Sequence, residues 1–442
     1  MSKNTTGIGS LVVDEHELAS SGLDLWRIPK VDASMVHGKN QTYFLTGPIK
    51  NEGPFEFIIP SESNEYLMLD KTTIYGEVEV VKANDGDLAD ADLVTTINNF
   101  PQTLFSLIKV YLNGVCINDI STATYGFKAY LENHLSYDVN VKKTTLAATE
   151  MYIKDAVGEE IDIATNVVKG GTGMNKRNAL IKKKKVYFDI TPHIDFFRTE
   201  QLLLPGVEMK IELVRSPDSF SLLQVVDKTA KIKFHKLECL TRKVILDPKI
   251  AQLMENRLTE KPSFYPVCHS KIRTHLLASG IQSTHISQIV RGKLPRSFMF
   301  CILESENFEG NFDKNPFYIN NAGLQSLNVL INGEPVHARP IDPDWTAGRC
   351  LKEYRWFREN TGQHGHLTNG ITLEEYKTNT CVFCYDLSPD LCNGYYKHGL
   401  EQGTIDISLS FKNALAKNHT LLFYATFNEA VVIDKNRNIT LV

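Results

Sequence analysis

The chain has 442 residues, 42% of them hydrophobic and 23% charged, the makeup of a globular protein long enough for two domains. A net charge of −4 excludes a protein built throughout as a sleeve for nucleic acid, and no apolar run approaches the ~18 residues of a membrane-crossing helix. The opening MSKNTTGIGS is polar and reads against a secretory signal, so the eight cysteines are expected as reduced thiols packed like small hydrophobes, and the Asn-x-Thr triplets at Asn4, Asn40, Asn418 and Asn438 as chance.

Residues 1–45 show no sustained period and carry Trp26, Ile28 and Val31 among polar neighbours, which predicts an extended N-terminal arm. Phe55–Ile59 reads as a strand stopped by Pro60, and Thr73–Val81 as another. Residues 83–92 are acidic but lack the glutamate and flanking helices of a calcium loop, so they read as solvated. Leu107–Ile117 predicts a hairpin with Asn113-Gly114 at its tip, because both residues tolerate positive φ. A short aromatic helix follows, marked by Tyr125, Tyr130, Leu131, His134 and Leu135. Residues 166–185, with Gly170–Gly173 and four lysines at 182–185, have no phosphate-loop spacing and read as a solvated loop. A strand then ends at Asp189. Thr191-Pro192 has the form of a helix start, with Ile194 as the apolar contact of the helix. Gly206 releases the chain into an alternating strand, Val207, Met209, Ile211 and Leu213. Lys231–Leu246 is a long strand. Asp247-Pro248 opens a helix with Ile250, Leu253 or Met254, and Leu258 on one side, ending at Lys261-Pro262.

The remainder rewrites the first half. Strands are expected around 265–277 and 296–303. A second hairpin turns at Asn332-Gly333, 219 residues on (113 to 332), and a second short helix carries Leu351, Tyr354, Phe357 and Arg358. A strand ends at Asp386, Ser388-Pro389 has the same helix-start form with Leu391 as the contact, and Gly403 leads into Ile405, Ile407, Leu409 and Phe411. The separation here is 197 residues (189 to 386, 192 to 389, 206 to 403), so the first half holds about 22 extra residues between the landmarks, expected at 166–185. After the glycine the alternation slips by one residue between the copies. A positive φ at both glycines would make a β-branched replacement of Gly206 or Gly403 abolish soluble assembly. The reading is an all-β chain of two tandem eight-stranded jelly-roll sandwiches with short helices in loops: arm 1–45, first jelly roll 46–247, linker helix 248–262, second jelly roll 263–442.

No constellation for chemistry stands out, and no catalytic, cofactor or metal residues are assigned. His364 and His366 sit as a cupin pair would, but Gly370 and Ile371 stand where the glutamate is needed. Cys381-x-x-Cys384 lacks a second pair at zinc spacing, though Cys392 and His398 are near, and residues three apart in a strand face opposite ways. The residues singled out are therefore structural turns and caps: Asn113, Gly114, Thr191, Pro192, Gly206, Asn332, Gly333, Ser388, Pro389 and Gly403.

The segments Phe100–Gly114 (FPQTLFSLIKVYLNG), Val207–Phe220 (VEMKIELVRSPDSF), Lys293–Phe300 (KLPRSFMF), Asn307–Phe317 (NFEGNFDKNPF) and Ala430–Asn438 (AVVIDKNRN) resemble the major capsid proteins of Polinton/Maverick-type elements and adintoviruses, and also open reading frames of animal genomes. The resemblance covers most of the chain from about Phe55 onward. It implies a double jelly roll of the adenovirus-hexon lineage. Three subunits would form a pseudo-hexagonal capsomer of an icosahedral shell, with strands roughly normal to it. It further implies self-association into homotrimers, contact with neighbouring capsomers and a penton-type minor capsid protein, no sequence-specific nucleic-acid binding, assembly inside the host cell, and residence in the virion. A different class of function, glycan binding or processing by a double jelly roll, would need a groove of convergent aromatics and, for hydrolysis, two carboxyl groups roughly 5–9.5 Å apart. A host-domesticated copy with another binding role is a third.

Overall fold

The computed structural model describes residues 33–49, 53–118, 121–158, 163–168, 170, 172–182, 185–361, 368–389 and 401–442. Two jelly rolls follow one another. The first is made of β1 (Met35–Phe44), β2 (Phe55–Ile59), β3 (Glu65–Val81), β4 (Phe105–Leu112), β5 (Val115–Cys116), β6 (Lys185–Ile190), β7 (Met209–Arg215) and β8 (Lys231–Leu246). The second is made of β9 (Ser263–Leu277), β10 (Ser283–Lys293), β11 (Ser297–Glu304), β12 (Leu324–Ile331), β13 (Glu334–Pro335), β14 (Phe383–Asp386), β15 (Gln402–Phe411) and β16 (His419–Ile433).

The sheets of the first are ordered β1-β8-β3-β6 and β2-β7-β4-β5; those of the second are β9-β16-β11-β14 and β10-β15-β12-β13; outside these paths the short strand Leu202–Leu203 adds to β3, Ile439–Leu441 adds to β16, and Val94–Thr96 pairs with Leu222–Gln224. Adding eight to every label turns one topology into the other. The chain is thus an all-β double jelly roll, its ladders antiparallel throughout. Alternation explains why these segments pair as they do. Met209, Ile211 and Leu213 in β7, and Ile405, Ile407, Leu409 and Phe411 in β15, are all buried, while the residues between them are only partly so.

Among the described residues, three apolar cores hold the molecule together. One fills the first sandwich around Phe57, Leu69, Ile74 and Val110. One fills the second around Phe300, Leu327, Ile407 and Phe423. The third lies between helices and sheet. It joins α1 (Tyr125–Ser136) and α2 (Gly173–Ile181) of the first half, and α4 (Leu351–Asn360) and α5 (Leu373–Thr378) of the second, to Ile272, Cys301, Leu303, Leu422 and Tyr424 on the outer face of β9-β16-β11-β14. α3 (Pro248–Glu260) connects the halves; Asp247 caps it by accepting from the Lys249 N–H at 2.9 Å. Among the described residues no helix is long and apolar enough to cross a membrane.

Several expectations need correction. Residues 35–44 are not arm. They form β1, whose backbone pairs with β8 from Met35↔Leu246 to Phe44↔Glu238. MVHGKNQTYF shows no apolar alternation, because an edge strand with only Tyr43 on the core is held by main-chain bonds. Residues 1–32 lie outside the described residues. The expected loop at 166–185 contains α2, whose Thr172 cap accepts from the Asn175 N–H at 3.1 Å. Its polar residues point inward. Arg177, with 0% exposure, ion-pairs with Asp155 at 2.8 Å and donates to the Thr96 carbonyl at 2.7 Å, so no amphipathic stripe marks the helix. In α3, Ile250, Ala251 and Leu258 meet the first core, but Leu253 is 59% exposed and Met254 is also exposed.

Thr191-Pro192 starts no helix. The N–H groups a Thr191 cap would serve are taken: His193 donates to the Tyr125 hydroxyl at 3.1 Å and Ile194 to the Pro192 carbonyl at 2.8 Å. The helical turn begins later, as a single 3-10 turn at Asp195–Arg198 without a side-chain cap. At Ser388 the N–H donates to Asp386 Oδ1 at 2.9 Å, and the hydroxyl contacts the same oxygen. Pro389 is exposed. The helix expected beyond it, with Leu391, Cys392 and His398, lies outside the described residues, as do His364 and His366.

Candidate functional site

At the two hairpin tips the duplication is visible atom by atom. Asn113 and Gly114 have φ of 46° and 83°; Asn332 and Gly333 have 53° and 84°. The Asn113 N–H donates to the Glu208 carbonyl (3.0 Å), and its Oδ1 accepts from the Glu208 N–H (2.8 Å). Asn332 makes the same pair of bonds with Thr404, at 3.0 and 2.9 Å. Glu208 stands two residues after Gly206 and Thr404 one residue after Gly403, which is the one-residue slip between the copies. The glycines differ. Gly206 has φ of 87°, whereas Gly403 lies inside β15 without a positive φ. There a side chain is excluded by proximity, since a Cβ would stand 2.3 Å from Asn332 Oδ1.

Between the halves lies a polar seam, buried except at Arg198, whose side chain is 49% exposed. α1 brings Lys128 and Glu132 to one face, the 3-10 turn brings Asp195 and Arg198, and the second half supplies Ser270 from β9 and Tyr424 from β16. Glu132 Oε2 contacts both Arg198 and His193 Nδ1. Glu132 Oε1 accepts from the Tyr424 hydroxyl at 2.7 Å, and that hydroxyl is 2.7 Å from Ser270 Oγ. Asp195 accepts from Lys128 (2.8 Å) and from the Ser270 N–H (2.8 Å). Burial pushes the Glu132 carboxyl up, but Arg198, Lys128 and the His193 bond outweigh it and hold the group below the ordinary carboxylate range. Such a network fixes the orientation of two packed bodies. It is not a nucleophile relay: the Ser270 hydroxyl bonds Asp195 at 3.2 Å, and His193 Nδ1 is spent on Glu132. None of these residues was singled out from sequence. The available signal was Lys128 and Glu132, four apart, on the same stretch of helix as Leu131 and Leu135.

A cleft of about 620 Å³ adjoins the seam, reached by Arg198, Cys268, Arg296, Tyr385 and Tyr424. Burial pushes the Cys268 thiol up to about 11, so it is a poor nucleophile at neutral pH. Cys381 belongs to the core of the second jelly roll and Cys384 to the core between the halves, on opposite sides of the sheet, and burial raises both thiols. Among the described residues no group of His, Cys, Asp and Glu is arranged to hold a metal.

The outer face of β1-β8-β3-β6 contrasts with its covered counterpart in the second half. One row across it reads Phe44, Glu238, Tyr75, Asp189, and a neighbouring row Lys236, Glu77, Tyr187. Phe44 is 67% exposed and Tyr187 55%. Glu77 and Glu238 are tied to Lys185 and Lys236 at 3.2 and 2.9 Å, and the Lys236 ammonium lies 5.5 Å from the centroid of the Tyr75 ring.

No family model matches the chain. It is 22% identical over 413 residues to an uncharacterised Caenorhabditis elegans protein, covering 89% of this chain and 94% of that one. Among solved structures it is similar to the Sputnik virophage chain seen by cryo-EM, with TM-score 0.64 and 12% identity, over 99% of this chain and 94% of that one. PBCV-1 Vp54 fitted into a Sputnik reconstruction gives TM-score 0.60 at 12% identity, over 94% and 99%. The mavirus major capsid protein gives 0.51 at 10% identity, over 99% and 97%.

Proposed function

We propose that the chain is a major capsid protein, a building block and not a catalyst. The observation that carries this reading is one strand order used twice in tandem, matched nearly end to end by viral capsid proteins. The subunit forms homotrimers that act as pseudo-hexagonal capsomers of an icosahedral shell. Neighbouring capsomers and a penton-type minor capsid protein complete the shell, which is assembled inside the host cell and carried in the virion. The Polinton/Maverick and adintovirus lineage is the source that the sequence segments favour. The glycan reading is disfavoured by the nearly end-to-end likeness to the mavirus major capsid protein.

Light scattering combined with electron microscopy tests the proposal. The expected result is a particle of three times 49.9 kDa with three-fold symmetry. Obligate interfaces of this kind bury roughly 2,000 Å² or more. A stable monomer under every assembly condition would overturn it.

A further inference from the structure

We infer that the cleft beside the seam is a binding site for one small amphipathic carboxylate, its chain against the apolar walls and its head group at Arg198, Arg296 and Tyr385. The inference goes beyond the capsid-subunit reading and does not depend on it.

The cleft holds about 620 Å³, inside the roughly 300–1,000 Å³ range of small-molecule sites. Both halves build it. Leu131 and Leu135 come from α1, Pro266 and Val267 from β9, and Met299 from β11, so an apolar chain would lie against both bodies at once. The carboxylates on its walls are spoken for or turned to solvent: Glu132 is matched by Arg198, Asp195 by Lys128, and Glu200 is exposed.

The donors are in a different position. Tyr385 is 5% exposed, and its hydroxyl has no hydrogen-bond partner. A buried hydroxyl left this way is costly and rare, and an acceptor supplied from outside the chain would remove the cost. The ring is held by stacking on Phe298, 5.0 Å between centroids. Burial raises the pKa of the phenol, so it keeps its proton and donates at neutral pH. Arg198 engages the seam through Nη2 alone, on Glu132 and on His193 Nδ1 at 3.1 Å, so its Nε and Nη1 make no bond among the described residues. Arg296 brings a second guanidinium. Its backbone is pinned to Thr426 and Leu387 by bonds of 2.8 Å, and its Nη1 stands 3.9 Å from Cys268 Sγ, a weak acceptor.

Two guanidiniums and a protonated phenol call for a strong acceptor with two oxygens, and a carboxylate takes a guanidinium fork through two parallel bonds. Inorganic phosphate would use the donors but leave the apolar walls bare. An amphiphile with a carboxylate head meets both, and by touching both halves it would stabilise the joint between them.

The test uses the full-length protein and isothermal titration calorimetry at neutral pH, with decanoate kept below the concentration at which it forms micelles. Wild type should bind decanoate saturably, one per chain. Decan-1-ol should bind roughly ten-fold more weakly or worse, having lost the charge-assisted bonds, and neither decylamine nor inorganic phosphate should bind saturably. Tyr385→Phe removes a single oxygen. It should weaken decanoate roughly ten-fold while the urea midpoint of the ligand-free protein stays level or rises, because the hydroxyl had no partner to lose. Met299→Trp should fill the cleft and abolish binding; if that variant fails to fold, Tyr385→Phe decides alone. No saturable binding of decanoate by wild type, binding of decan-1-ol or decylamine as tight as that of decanoate, or undiminished binding by the folded Tyr385→Phe variant would each overturn the site. None of these outcomes touches the capsid reading, which is judged by particle mass and symmetry.

Discussion

At the scale of single residues, the hairpin asparagines act as clasps. Each ties its turn to the strand that follows the paired glycine, through two bonds of 2.8–3.0 Å. At Gly403 a methyl group would collide with the clasp itself, so Gly403→Ala should cost on the order of 1–3 kcal/mol. The double variant Gly403→Ala/Asn332→Ala should then be about as stable as Asn332→Ala alone, a coupling that urea midpoints would reveal. Gly206→Val fails for a different reason, a φ of 87° with Arg437 Nε 2.9 Å from the new Cβ, and has no such rescue at Asn113. Lys142 gives a pH signature. Its buried ammonium donates to the carbonyls of His134 and Asn369 at 2.5 and 2.7 Å, joining the end of α1 to the second half. Burial, reinforced by Lys154, pushes it down to about 7 from 10.5. Below pH 7 folded and unfolded chains both carry the proton and the penalty is full. Between 7 and 10.5 the folded chain sheds it first, so stability should rise with pH across that window. Lys142→Met should flatten the rise, as measured by denaturant midpoints between about pH 6.5 and 9.5.

At the scale of elements, legibility followed chemistry that is local in the chain. Asn-Gly turns and two-residue alternation are local, so both hairpins, β7, β8 and β15 could be read from residues alone. β1 could not, because its partner is 200 residues away and its side chains carry no pattern. α2 could not, because its buried residues include Arg177 and Asn178, whose partners come from elsewhere. Thr191-Pro192 misled because a capping sequence is an offer of a hydrogen bond, and Tyr125 made a competing one. The seam between the halves was invisible for the same reason as β1: Glu132, Asp195, Ser270 and Tyr424 meet only after folding. The insertion makes its own prediction. Arg177→Met would leave the Asp155 carboxylate buried beside an uncharged neighbour, and should destabilise the protein by about 3–5 kcal/mol. Asp155→Asn added to it should recover part of that loss in thermal melts.

At the scale of the whole molecule, the two jelly rolls share a topology but not a surface. The second wears helices of the first over part of its outer face, where Leu131 and Leu135 join its own Phe357 and Tyr376 in one core with Cys301, Leu303 and Leu422. Residues 263–442 expressed alone should be insoluble or bind hydrophobic dyes. The intact protein should melt in one transition, because the core between the halves and the Lys142 and Glu132 ties couple them. A soluble, folded second half would contradict this. The order in which the ribosome releases the strands matters too. Each principal sheet places its earliest strand against its latest: β1 waits for β8, and β9 waits for β16, which ends at Ile433. Neither sandwich can close during synthesis until its final strand has left the exit tunnel. The roof of α1 meanwhile hangs over a sheet that does not yet exist, which makes the nascent chain a client for any chaperone that holds apolar surfaces apart.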